Sequence, residues 1–217
     1  MTYQRAMLLA LLLFIGSAVH AEPPAKPCAM NKNSPPASTW HWPAGTRVKV
    51  FFMRGLFTGS EQQAIREVMD QWNGLSEHVG AGIKYDDAGE VDKHVDGEGY
   101  LTLTRIEIMK GTNNRFYAYF FPTRTTDGSI HSAQITFDFK TTDVKALKSY
   151  AAHELAHGMG LWDCKTCKGG STIMNGFPGV NQGNGLDAPS ACDIQVVKTL
   201  FDQERRLALT HSFSALN

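Results

Sequence analysis

The stretch His153-Glu154-Leu155-Ala156-His157-Gly158-Met159-Gly160-Leu161-Trp162-Asp163 decides how this 217-residue chain reads. Much of it belongs to a segment from Asp143 to about Gly158 that is predicted to be helical. Asp143 can cap that helix, and Val144, Leu147, Ala151 and Leu155 recur along one side of it. His153 and His157 then share a face, about 6 Å apart along the axis. Two imidazoles so placed reach one tetrahedral zinc ion at roughly 2.0–2.1 Å each. Glu154 is turned about 100° from His153, close enough to bond a metal-bound water without taking a ligand position. Zinc lowers the pKa of its water, and the glutamate takes the proton as the water attacks a carbonyl. By chance the five-residue pattern occurs in about one in 200 chains of this size. Its helical setting and the export signal at the other end of the chain disfavour coincidence.

Two imidazoles leave a catalytic zinc site one protein ligand short. Gly158 and Gly160 follow the second histidine, and glycine takes the positive φ that ends a helix and reverses the chain. A turn at Gly160 brings Asp163 back toward the metal. His153, Glu154, His157, Gly160 and Asp163 thus match, position for position, the extended motif of the metzincin clan of metallopeptidases, which the sequence resembles. The resemblance implies His153, His157 and Asp163 as ligands of one catalytic Zn2+ and Glu154 as general base. Aspartate as third ligand is similar to the motif of snapalysin-type enzymes, which also carry a cysteine before their methionine turn.

Ser171-Thr172-Ile173-Met174-Asn175-Gly176 has the look of that turn, with Met174 lying 11 residues past Asp163. The resemblance makes Met174 an apolar floor under the histidines, and makes Phe177 and Pro178 a wall of the pocket beyond the scissile bond. Asn175 stands where some families have an oxyanion-stabilising tyrosine, so that role is unassigned. The motif covers only about residues 153–176. Over the rest, the clan's architecture implies an α+β, zincin-like fold: a twisted mixed sheet with two helices, then an irregular C-terminal subdomain with the methionine turn and a final helix.

The predicted elements suit that order. Arg47 to Phe52 alternates and turns apolar, as a strand does. Ser60 is a good N-cap for a helix carrying Ala64, Ile65, Val68, Met69 and Trp72, ending near Asn73-Gly74. Strand patterns follow at 83–85, 100–106, 116–121 and 132–139, the last with Ala133, Ile135, Phe137 and Phe139 on one face. Residues 132–139 are expected near the cleft, where an edge strand pairs with an extended substrate. A last helix runs from Ala188 or Ser190 to about Leu207, with Ile194, Val197, Leu200 and Phe201 inward. His41, His78, His94 and His211 read as surface residues, and the acidic stretch 86–96 as a solvated loop.

Toward the N-terminus the chain has the pattern of an exported protein. Arg5, an apolar run from Ala6 to Ile15, and small residues before Ala21 make residues 1–21 a signal peptide, too short in its apolar part to span a bilayer. Residues 22–45, rich in proline, are an extended arm or a short pro-segment, and 46–217 form the catalytic domain. About 195 residues then remain, enough for one domain with a sizeable core. Lysine plus arginine (21) balances aspartate plus glutamate (21), so no global field calls for nucleic acid or a membrane. Cys28, Cys164, Cys167 and Cys192 suggest two disulfides in an exported chain. Cys192 is the expected partner of Cys164 or Cys167, with the other left for Cys28. Half of a zinc or redox site at Cys164/Cys167, and a latency ligand at Cys28, are the rival readings.

Together these readings give a secreted or periplasmic, monomeric zinc endopeptidase acting on protein or peptide substrates. The alternative is a zinc-containing but catalytically weak binding protein on the same fold.

Overall fold

The structure, a computed structural model, describes residues 35–107, 117–175 and 186–214. The expected signal peptide, Cys28, Phe177 and Pro178 lie outside these residues. Strands β1 (Arg47–Met53), β2 (Lys84–Val91), β3 (Tyr100–Ile106), β4 (Ala118–Arg124) and β5 (Ile130–Asp138) form one mixed sheet in the order β2-β1-β3-β5-β4. All neighbours are parallel except β4, which runs antiparallel to β5. Helices α1 (Gly59–His78) and α2 (Val144–Gly158) pack on each other, with α1 also on β2 and α2 on β4 and β5. The last helix, α3 (Ala191–Ser214), follows the irregular segment. This is the α+β arrangement expected from the sequence. Among the described residues no helix is long and apolar enough to cross a membrane.

Several element ends differ from the sequence reading, each for a physical reason. Helix α1 is capped by Thr58 rather than Ser60. Thr58 stands three before Glu61, so the two form a reciprocal capping box, with Glu61 Oε2 accepting Thr58 N–H at 2.8 Å. Asn73-Gly74 does not end α1. The Asn73 side chain instead bonds Tyr85 N–H and C=O (2.7 and 2.9 Å), tying the helix to β2, and buried Leu75 and Ser76 carry it on to His78. Strand β2 extends through Asp86, Asp87 and Glu90, which the sequence suggested were loop. Arg47, Arg66 and Arg54 neutralise them. Val144 and Phe139, expected inside, are both exposed, because Phe139 lies just past the end of β5 and Val144 opens α2.

The sequence leaves the edge strand open, and the sheet order supplies it. Residues 132–139 belong to β5, an interior strand hydrogen-bonded to β3 and β4, and the two edges are β2 and β4. The strand pattern read at 116–121 runs on through Pro122 to Arg124. An edge tolerates proline, since one side of the strand has no ladder to lose. Tyr117 C=O accepts from Asp138 N–H (2.9 Å), so by the antiparallel alternation the odd residues of β4 bond β5 and the even ones point their backbone outward.

The proline-rich segment before β1 packs closely where it is described. Residues 36–42 run antiparallel beside 158–162: Ser38 N–H donates to Gly160 C=O (2.7 Å), Trp42 N–H to Gly158 C=O (3.0 Å), and Trp162 N–H to Pro36 C=O (3.0 Å). Trp42 is fully buried. His41, read as a surface residue, is buried too, with its Nε2 2.7 Å from Glu204 of α3.

Candidate metal centre and cleft

Helix α2 supplies three of the four expected residues. Asp143 caps it as predicted, accepting from Lys145 N–H at 3.1 Å. Leu147, Ala151 and Leu155 are buried, so helical phase turns His153, Glu154 and His157 to the site. The helix ends at Gly158, and the two glycines do different jobs. Gly160 takes the left-handed turn (φ +85°). Gly158 is needed for space, since a Cβ there would lie 2.6 Å from both Trp42 Nε1 and the Tyr85 hydroxyl. Beyond the turn, the antiparallel contact with residues 36–42 on one side and Cys164 N–H to Met174 C=O (2.7 Å) on the other set the course of the chain through Asp163.

The structure brings His153, His157 and Asp163 together, with one ligand atom of each within 4.8 Å of the others. Asp163 Oδ1 lies 3.0 Å from His153 Nε2 and 3.8 Å from His157 Nε2. A tetrahedral zinc ion with bonds of 2.0–2.1 Å separates its ligand atoms by about 3.4 Å, so the cluster is close to the required size. His153 Nδ1 lies 2.8 Å from Ile173 C=O and His157 Nδ1 2.8 Å from Leu161 C=O. These bonds hold the protons on Nδ1 and leave both Nε2 lone pairs facing the centre. Buried His153 Nε2 has no well-directed hydrogen bond despite the nearby carboxylate, as expected of atoms aimed at a common third point. On all three counts the residues fit a zinc ion.

The electrostatics agree. Burial alone would lower the His153 pKa, but the Asp163 carboxylate and then the Glu154 charge outweigh it and hold it above its ordinary value. His157 is lowered, by burial and then by the charge on His153. Burial would raise Asp163, but the two histidines keep it low. The pocket thus favours one positive charge between His153 and Asp163, and a divalent cation answers the same demand.

Glu154 is buried, with Oε2 3.9 Å from His157 Nε2, beside the cluster and outside the ligand triangle. Met174 is fully buried in the turn 172–175. Its neighbour Ile173 is held by Asp193, a residue that sequence reasoning missed. Fully buried, Asp193 accepts Ile173 N–H (3.0 Å), Ser190 N–H (2.8 Å), Ser190 Oγ–H (2.6 Å) and the Thr172 hydroxyl. A line of bonds therefore runs from the start of α3 through Ile173 to His153. The Ser190-x-x-Asp193 spacing before an apolar run was the available signal. Replacing Asp193 by alanine strands several buried donors, and is expected to lower stability by about 3 kcal/mol in urea denaturation. A loss below about 0.5 kcal/mol would mean those bonds contribute little.

The disulfide expectation is corrected. Cys164 bonds Cys167, with Cα atoms 5.4 Å apart, so neither is left for Cys192 or for Cys28. Cys192 is also disulfide-bonded. With both sulfurs oxidised, Cys164-x-x-Cys167 offers no thiolates for a second zinc ion. The short loop closes directly behind Asp163. Tyr150, one turn before His153, stacks on Tyr117 (5.2 Å, 7°), and its pKa is pushed up to about 12 chiefly by burial.

Against the cluster opens a cavity of about 220 Å³. Glu154, His157 and Asp163 form one end of it. Ala118, Tyr119, Phe120 and Pro122 of β4 line it, together with Ser38, Trp40, Leu161 and Trp162.

No family model matches this chain, and no curated protein matches its sequence. Solved structures with some likeness to it include myroilysin, 13% identical over 57% of this chain and 44% of that one, with a TM-score of 0.32. Another is high choriolytic enzyme 1, a hatching-enzyme zinc-protease from the medaka fish Oryzias latipes, 13% identical over 75% of this chain and 94% of that one, TM-score 0.40. A chaperone–substrate complex is 11% identical over 72% and 34%, TM-score 0.36. The chain thus spans less than half of two of these three. Similarity at this level assigns no chemistry, and the case for function rests on the side chains described above.

Proposed function

We propose that this chain is an exported zinc-dependent endopeptidase of metzincin type. The observation that carries the reading is the convergence of His153 Nε2, His157 Nε2 and an Asp163 oxygen at the spacing of a tetrahedral site, with buried Glu154 beside it at the end of an open cleft. A closed structural site would use four protein ligands and have no use for a spare carboxylate. Zinc held by the three side chains supplies Lewis acidity and a water of lowered pKa. Glu154 takes the proton from the attacking water and delivers it to the leaving amine. On this reading the buried Met174 is the floor under the histidines, and the disulfides suit an oxidising compartment.

The two edges of the sheet favour β4 as the place where substrate lies. Strand β2 carries paired charges, which discourage strand addition, whereas β4 carries Phe120 and Phe121. A peptide adds to the outward backbone groups of β4 and passes the metal beside Phe120, whose ring centre is 5.9 Å from that of His157. Pairing is antiparallel, the more stable of the two directions.

Purified protein is expected to hold one zinc per chain by elemental analysis and to digest casein. A chelator should stop the digestion, and added zinc should restore it. Full activity in metal-stripped protein would refute the proposal.

A further inference from the structure

We infer that the cavity beside the metal centre is a specificity subsite for one bulky apolar side chain, aromatic or branched aliphatic, on the N-terminal side of the scissile bond. The inference rests on the peptidase reading for its orientation and on the cavity itself for its chemistry.

The cavity is lined mostly by apolar side chains, with Ser38, Tyr119 and the metal-site residues as its polar members. Ala118, Phe120 and Pro122 share a face of β4 because strand side chains alternate. Across from them stand Trp40, Leu161 and Trp162. Trp40 and Trp162 are in ring contact, with centroids 4.9 Å apart. The Arg124 guanidinium lies 3.8 Å from the Trp40 ring centre, and stacking of this kind fixes the indole and keeps charge at its face. Trp162 nevertheless remains 41% exposed. A large indole left partly in water, in a concave site with its partners preset, gains by covering.

The direction follows from β4. The metal ligands lie beside Phe120, and the cavity runs from there past Pro122 toward Trp40 and Arg124, the C-terminal end of the strand. A peptide antiparallel to β4 has its N-terminal part at that end. The side chain entering between Pro122 and the two tryptophans therefore precedes the scissile bond.

Trp40 and Pro122 lie outside the His153-to-Asp163 stretch and Trp162 inside it. Trp162 sits between Gly160 and Asp163, so the loop that delivers the third ligand also builds the subsite. Trp40 reaches it because residues 36–42 are bonded along 158–162. On this reading, the segment around Trp40 is a working part of the enzyme.

The test separates the subsite from catalysis. Glu154→Gln protein is titrated, following tryptophan fluorescence, with octapeptides that differ only in phenylalanine or alanine at one position. Phenylalanine at its best position should tighten binding about 10- to 100-fold. Trp162→Ala in the same background should cut that ratio to within about threefold of unity, and Trp162→Phe should restore most of it. Equal binding of the two peptides, or a preference that survives Trp162→Ala, overturns the subsite. Cleavage sites mapped in digests by the wild-type protein should show bulky apolar residues enriched within three positions before the cut. Enrichment only after the cut overturns the assigned direction. A wild-type protein that cuts nothing refutes the peptidase reading, while the binding ratios still decide the subsite.

Discussion

Glu154→Gln is expected to lower kcat/KM for a peptide substrate by about 10²- to 10⁴-fold, the range typical of a lost general base, with one zinc still bound. The reason lies in where α2 places the side chain. Glu154 is buried beside the cluster, 3.9 Å from His157 Nε2, and is not one of the three converging ligands. Glutamine keeps its volume and hydrogen-bonding capacity but cannot hold a proton at neutral pH. Metal content therefore stays and turnover goes. Casein digestion at the wild-type rate by the variant would show that another group handles the proton. Lost zinc together with lost activity would instead make Glu154 a ligand.

Asp163→Ala is expected to weaken zinc binding by at least about 100-fold, beyond what loss of a supporting bond costs, as measured by competition with a chromophoric chelator. Asp163 supplies the only carboxylate oxygen in the triangle, 3.0 Å from one imidazole nitrogen and 3.8 Å from the other. Its removal leaves two neutral ligands for a divalent cation. Because Asp163 is partly exposed, its loss leaves no buried cavity, and the thermal unfolding of metal-free protein should change little. Unchanged zinc affinity would place the third ligand elsewhere.

The helix bearing the two histidines was legible because its information is local. Cap, apolar period and i, i+4 spacing all fall within one short segment, and the structure keeps them where the pattern put them. The turn at Gly160 was legible for the same reason. Harder to read were features that depend on distant residues. The end of α1 was misplaced because Asn73, a common helix stop, instead bonds a strand that arrives later in the chain. The disulfide expectation joined Cys192 to the loop, but spacing says little about which sulfurs meet, and Cys164 closes on Cys167.

The sequence alone thus determined the chemistry on offer: two imidazoles on one helical face with a carboxylate beside them, a glycine turn after them, and an aspartate within reach of it. Tertiary structure decided where that chemistry faces. Only the strand order makes β4 an edge, and only the pairing of residues 36–42 with 158–162 brings Trp40 to Trp162. Periodicity reports which side of an element is buried. It does not report which element lies across from it, because that is set by contacts between residues outside the element, from strand pairs such as Ala118 and Phe137 to Trp40 and Trp162.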